Sequence, residues 1–417
     1  VQETEKEHED ILEQADETDA MFGELYSWYL RNTEYRSRVQ KLVQSAFAGK
    51  PEDIISQSVA KALYGEVSPY SATRLERFAA CAFAHFLQYG MKLTERVEYE
   101  FKPMDMGNVM HEALESFAEE VRKRGMKWTE LTEQERNEIA DRCLDNIVAD
   151  YGNTVLKSSA RNEYMIERTR RILRRTVWAL QKQLEQGEFQ PEGFEVTFGG
   201  GRIDRVDIME DQNKVYVKVI DYKTGNTSFD LVYLYHGLQL QLMIYLDGAL
   251  RVEQKKYPDK EIIPAGVFYY NIKDPMIQEK IDADVEAVSA GLMKELKMNG
   301  LAQADPELVY RMDSSLGSIP VAFNKDGSFR KNSSVADRTQ FAVLGRYVRT
   351  KIEKIRSSIL EGDAEVSPYE LGKKNACTYC PYMTVCGFDR RLSGYEFRRL
   401  KNFSDEELWK AFDREAE

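Results

Sequence analysis

Between residues 201 and 225 apolar and polar positions alternate in the manner of a β-hairpin. GRIDRVDIMED and KVYVKVIDYKTG are β-rich segments around a polar turn, Asp211-Gln212-Asn213-Lys214. The simplest antiparallel register sets Ile208 against Val217, Val206 against Val219 and Asp204 against Asp221. Side chains alternate faces along a strand. Val215, Val217, Val219, Asp221 and Lys223 therefore share one face, with Arg202, Asp204, Val206 and Ile208 facing them across the hairpin. Asp207 falls on the other side, opposite Lys218, where a cross-strand ion pair accounts for it. The apolar surface ends in two carboxylates and a lysine, a costly set to bury without a cation. An ordinary solvated sheet edge carrying an Asp–Lys pair is the alternative.

The pattern elsewhere is mainly helical. Residues 1–65 read as helices: a stripe from Ile11 to Tyr29, a second helix over 34–48 and a third following Pro51. Ser71 caps a helix carrying Leu75, Phe78, Ala79, Ala82 and Phe86, with Cys81 inside it. Residues 96–101 alternate as a strand. Gly107 then leads into a helix with His111, Leu114, Ala118 and Val121 along one side. A lone histidine on such a face reads, on general grounds, as a core residue rather than a ligand. Long helices follow over 130–151 and 160–186, and Phe194–Phe198 is a strand before the Gly199-Gly200-Gly201 turn. A helix over 235–250 places Gln241 and Tyr245 on one side, and Gly266–Ile272 is a strand. Residues 275–362 read as mostly helical around a polar loop at 313–334. The order helix, three strands, helix, strand predicts an α/β core with large helical elaborations.

Charge and composition narrow the function. At 417 residues the chain has room for two or three domains, and its net charge is −12. Residues 1–30 hold ten acidic residues and one lysine, so the remainder is near neutral. Arg161 to Lys182 is a basic stretch in which Arg168, Arg171 and Arg175 share a helix face. That face is either a solvated basic surface or a row of phosphate contacts. No apolar run approaches the ~18 residues of a membrane span, and the start lacks a signal-peptide pattern, which predicts a soluble, intracellular protein. No GxxxxGK[ST] occurs, which argues against ATP hydrolysis by a P-loop mechanism.

Five cysteines, an odd number without a secretion signal, argue against a disulfide framework. Cys143 reads as a buried small hydrophobe. Cys377, Cys380 and Cys386 form CxxC-x5-C, with Cys81 the candidate fourth ligand. Four thiolates suit tetrahedral zinc or an iron–sulfur cluster, and spacing does not choose between them. The first residue, Val1, fits a piece of a longer chain.

Taken together, Gly107-x3-His111, Gly201-x2-Asp204, Asp221-Tyr222-Lys223, Gln241-x3-Tyr245 and the four cysteines resemble the PD-(D/E)XK nucleases of the RecB-like group. SATRLERFAACAFAHFL, GRIDRVD and IDYKTGN resemble most closely its iron–sulfur members, the AddB-type nuclease regions of bacterial AddAB helicase–nucleases. The resemblance covers residues 66–400. It implies a restriction-endonuclease-like core in which His111, Asp204, Asp221 and the Tyr222 carbonyl bind Mg2+ or Mn2+. This reassigns His111 from the core to the metal. Lys223 would orient the attacking water, and Gln241 and Tyr245 would support the site. Cys81, Cys377, Cys380 and Cys386 would hold a 4Fe-4S cluster closing the domain over residues 66–417.

The resemblance further implies cleavage of single-stranded DNA, on the strand ending 5′, in double-strand-break repair by recombination. It implies an AddA-type partner subunit and a bacterial cytoplasmic location. Residues 1–65 would be the helical end of a helicase-like portion. Two readings compete: a nucleic-acid-binding or scaffolding module inactive without its partner, and a zinc-stapled helical adaptor without a catalytic site.

Overall fold

The computed structural model describes residues 19–46, 54–65, 70–94, 103–150, 159–199, 201–277, 284–392 and 394–416. Two compact units are present. The smaller comprises residues 1–53 and 388–396. Within it, residues 19–31 and Arg36–Ala46 are helical, and the rings of Trp28, Tyr29 and Tyr35 pack together. Pro51 and the predicted strand over 96–101 lie outside the described residues.

The larger unit comprises residues 54–387 and 397–417 and is built on a mixed six-stranded sheet. Its strands are β1 (Gln190–Phe198), β2 (Gly201–Asp211), β3 (Lys214–Lys223), β4 (Glu261–Asn271), β5 (Asn299–Gln303) and β6 (Val335–Ala336), side by side in that order. The β1–β2–β3 meander is antiparallel, β4 runs parallel to β3, β5 antiparallel to β4, and β6 parallel to β5. The helix Pro103–Lys123 precedes β1 and the helix Gln241–Lys256 separates β3 from β4, which gives the predicted α/β order.

The hairpin register is the predicted one: Val206 opposes Val219, Asp207 opposes Lys218 and Ile208 opposes Val217. Burial fixes it. Val215, Val217 and Val219 are fully buried, each worth about 1.5–3 kcal/mol, and a one-residue slip would turn all three to the other face. On their side the sheet packs against the helices Ala72–Ala80, Gln241–Lys256, Arg338–Glu361 and Asp405–Ala416. The other side carries Met209, Ile220, Tyr222, Phe268 and Tyr270 against Pro103–Lys123, Glu133–Asp150 and Ala160–Glu185.

Three expectations are corrected. The helix predicted over 235–250 is two helices, Leu231–Tyr235 and Gln241–Lys256, because Gly237 adopts φ +79 and ends the first. Cys81 is not inside a helix: its extended backbone (φ −166, ψ 117) separates Ala72–Ala80 from Ala82–His85. Residues 275–362 are not simply helical, since β5 and β6 extend the sheet there. Leu301 and Ala302 are buried in it, and so short an apolar run has no periodicity to mark it as strand.

Candidate active site

The site forms where β1, β2 and β3 meet the helices Pro103–Lys123 and Gln241–Lys256. β2 delivers Asp204, 8% exposed, and β3 delivers Asp221, 1% exposed. Asp204 Oδ2 accepts a hydrogen bond from the Tyr222 backbone N–H at 2.7 Å, which ties the carboxylate of one strand to the main chain of the next. Lys223 Nζ lies 2.6 Å from Asp221 Oδ2 and donates to Gln241 Oε1 at 2.8 Å. Gln241 Nε2 in turn donates to the Tyr245 hydroxyl at 2.9 Å. Gln241 and Tyr245 act from successive turns of one helix, as the four-residue spacing requires.

His111 approaches from the helix Pro103–Lys123. Its Nδ1 lies 3.4 Å from Asp204 Oδ2 and 3.7 Å from Glu195 Oε1. His111, Glu195 and Asp204 bring one ligand atom each to within 4.8 Å of one another, the one such group among the described residues. Glu195 is the member sequence reasoning missed. A signal existed: β1 and β2 pair Val196 with Ile203 and Phe194 with Arg205, so the residue between falls beside Asp204. Glu195 has φ +49, a conformation that costs a non-glycine residue free energy and recurs at functional sites. Its carboxylate also pairs with Arg202. Ser71, Asn108 and Glu115 complete a cleft of about 780 Å³ over this group.

The electrostatics show which charges are uncompensated. Burial, then the charge of Asp204, pushes the Asp221 carboxyl up to about 7 against the pull of Lys223 and His111. Apart from its ion pair with Lys223, neither Asp221 oxygen accepts a hydrogen bond. Burial disfavours the His111 cation, yet its contacts with Asp204 and Glu195 raise it to about 10. The set contains more carboxylates than cations in a largely buried place, which suits an added cation. Its donors, carboxylate oxygens and one imidazole, suit Mg2+ or Mn2+.

Asp207 lies on the opposite side of the sheet. It is fully buried, 2.6 Å from Arg205 Nε and 2.9 Å from Lys218 Nζ. The predicted pair with Lys218 is present, and Arg205 makes it a three-charge cluster outside the cleft.

The cysteines converge less tightly. Cys81 and Cys380 pack in one small apolar cluster with Ala84, Leu87 and Tyr382. Burial and then the neighbouring Cys81, Cys380 and Cys386 push the Cys377 thiol up to about 12. No three of the four sulfurs lie within 4.8 Å of one another. The tail is nevertheless tied to the N-terminal helices: Arg398 donates to the Ala79 carbonyl and the Tyr382 hydroxyl donates to Leu93 O at 2.9 Å.

The arginine row is largely engaged within the chain. Arg171 pairs with Asp274 at 2.6 Å, Arg170 with Asp145 at 2.7 Å, and Arg174 with Asp141. Arg175 sits 5.4 Å from the centre of the Trp178 ring. Arg168, Arg171 and Arg175 line one surface groove with Tyr164 and Trp178.

Among known proteins, the chain is similar to the AddB-type subunit of the ATP-dependent helicase/deoxyribonuclease of Lachnoclostridium phytofermentans, with 41% identity over 95% of this chain. It is 34% identical to the corresponding protein of Alkaliphilus metalliredigens and 33% to that of Clostridium acetobutylicum. It covers 36–37% of these relatives, so it spans about a third of their length. The model of the PD-(D/E)XK nuclease superfamily matches residues 69–387, a stretch that holds the whole sheet and every residue of the cleft. The chain belongs to the PD-(D/E)XK nuclease superfamily.

Proposed function

We propose that this chain is the nuclease module of a helicase–nuclease and hydrolyses phosphodiester bonds of single-stranded DNA with a divalent metal. The observation that carries the reading is Asp221. A buried carboxylate held by a single lysine, beside a second carboxylate, is stable only with further positive charge nearby. His111, Asp204, Asp221 and the Tyr222 carbonyl would hold Mg2+ or Mn2+, with Glu195 in reach. When bound, the metal polarises the phosphate and lowers the pKa of a coordinated water. Lys223, fixed between Asp221 and Gln241, presents an ammonium to the attacking water and to the charge developing on phosphorus. Tyr245 holds the Gln241 amide so that its oxygen faces Lys223.

The names of the relatives support a helicase–nuclease context, with an AddA-type partner subunit, the 5′-ended strand as substrate, and a role in repair by recombination. A bacterial cytoplasmic location follows from that context. No described helix is long and apolar enough to cross a membrane. Residues 1–65 would be the end of a helicase-like portion and residues 66–417 the nuclease domain. Arg168, Arg171 and Arg175 would contact the DNA backbone, with Arg171 exchanging Asp274 for phosphate.

Cys81, Cys377, Cys380 and Cys386 would hold a 4Fe-4S cluster with a structural role. Tetrahedral zinc with Zn–S bonds of about 2.3 Å needs sulfurs about 3.8 Å apart. The wider spacing here suits a larger centre. Iron and sulfide at about four atoms each per chain would bear this out, and zinc in their place would refute it.

The deciding experiment is cleavage of end-labelled single-stranded DNA with Mg2+, Mn2+ or EDTA, beside Asp221→Ala and Lys223→Ala. Metal-dependent cleavage abolished by both substitutions is the expected outcome. Cleavage that survives both refutes the site. Salt-dependent DNA binding without turnover would favour the scaffolding reading, which the internally paired arginines do little to support.

A further inference from the structure

We propose that Glu76 is a positioning residue for Lys223, holding the Gln241 backbone so that the Gln241 side chain can fix the lysine. The inference rests on the nuclease reading for its catalytic consequence but not for its geometry. The helix Gln241–Lys256 has no side-chain cap of its own: Leu240, at the N-cap, offers none. Its exposed N–H groups are a standing cost unless something accepts from them. Glu76 does so from a helix 165 residues earlier in the chain. Its Oε1 accepts from Leu240 N at 2.7 Å and from Gln241 N at 2.9 Å.

The contacts continue without a gap into the site. The Gln241 main chain is held by Glu76, and its amide is oriented by Tyr245. Its oxygen accepts from Lys223 Nζ, and Lys223 pairs with Asp221. A carboxylate suits this place because charge-assisted hydrogen bonds are roughly twice as strong as neutral ones and a helix N-terminus favours negative charge. Burial opposes it and pushes the Glu76 carboxyl up to about 7. A desolvated carboxylate that grips another helix by its backbone is a feature that generic packing has no need of.

Glu76 is itself held from both ends of its helix. Ser71 caps the start, accepting from Arg74 N. At the other end Arg398, on the tail, donates to Ala79 O, and Cys81 ends the helix. The element that ends at Cys81 thus carries the support of the lysine at its middle. Register errors of a fraction of an ångström in such support are expensive for catalysis.

The test uses the full chain with Glu76→Ala and Glu76→Gln, and reads Lys223 directly. Acetylation of the Lys223 amine by acetic anhydride, followed by mass spectrometry in the absence of metal, reports whether the lysine is held. In Glu76→Ala the rate should rise several-fold while lysines remote from the site keep theirs. Glu76→Gln, which retains an acceptor, should lie close to wild type. Cleavage should show kcat lower by about tenfold or more in Glu76→Ala with KM for DNA within threefold, and recovery in Glu76→Gln. An unchanged Lys223 labelling rate in a folded Glu76→Ala protein overturns the proposal, whatever the activity. A faster rate with unchanged kcat also overturns it, since Glu76 would then only cap a helix. If the wild-type chain cleaves nothing, the nuclease reading fails, and labelling still decides whether Glu76 positions Lys223.

Discussion

Asp207 offers the sharpest separation of a structural carboxylate from a functional one. It is fully buried between Arg205, at 2.6 Å and 2.9 Å from its two oxygens, and Lys218 at 2.9 Å. Burial raises a carboxyl, but here the two cations win and hold Asp207 below the ordinary carboxylate range. Asp207→Asn keeps the shape and removes the anion, leaving two buried cations facing each other. Breaking a buried pair in this way costs about 3–5 kcal/mol. For the larger unit, with an unfolding entropy of about 0.7 kcal/mol/K, that lowers Tm by about 4–7 °C. The measurement is thermal unfolding by circular dichroism, beside single-strand cleavage at a temperature where both proteins are folded. Stability should fall and cleavage should persist, because Asp207 lies across the sheet from Asp221. Asp207→Asn with Lys218→Met should lose less than Asp207→Asn alone, since the double variant removes one stranded cation. A loss under about 1 kcal/mol, far below the cost of a broken buried pair, would refute the charge argument. A stable variant that no longer cleaves would place Asp207 in the chemistry.

Three further outcomes follow from the same geometry. Glu195→Gln should weaken Mn2+ binding, followed by calorimetry, by about 10–100-fold; affinity within twofold of wild type would remove Glu195 from the site. His85 is buried and accepts from Arg74 Nε at 3.1 Å, and burial followed by the Arg74 charge depresses its pKa to about 3. Its folded pKa lies below the unfolded value, so its stability contribution is whole above pH 6.5 and is lost as pH falls toward 3. At pH 5 the loss is about 2 kcal/mol, and denaturant titrations should find it in wild type but not in His85→Gln. Gly248→Ala puts a methyl 2.6 Å from the Phe198 ring, where the helix bearing Gln241 and Tyr245 meets β1. It should destabilise by about 1–3 kcal/mol and lower cleavage, with Phe198→Leu restoring both. Failure of Phe198→Leu to help would mean the ring is not the obstacle.

The sequence by itself determined the hairpin, its register and the split of its carboxylates. Period-two alternation is a local property, and burying Val206, Val217 and Val219 on one side leaves Asp207 and Lys218 only the other. It also determined the order of core elements, because helical and strand periods differ within a few residues. Tertiary structure alone decided the rest. Glu195 reached the site through a pairing with β2 and a left-handed backbone that no local pattern marks. Glu76 meets Gln241 across 165 residues, and the partners of the arginine row, Asp141, Asp145 and Asp274, come from other segments. The strand identity of Asn299–Gln303 came from its place beside β4, and the extended backbone of Cys81 broke a helix that periodicity had carried through. Local alternation sets which way a side chain points. What it meets there, and at what electrostatic cost, is set by segments the chain brings from far away.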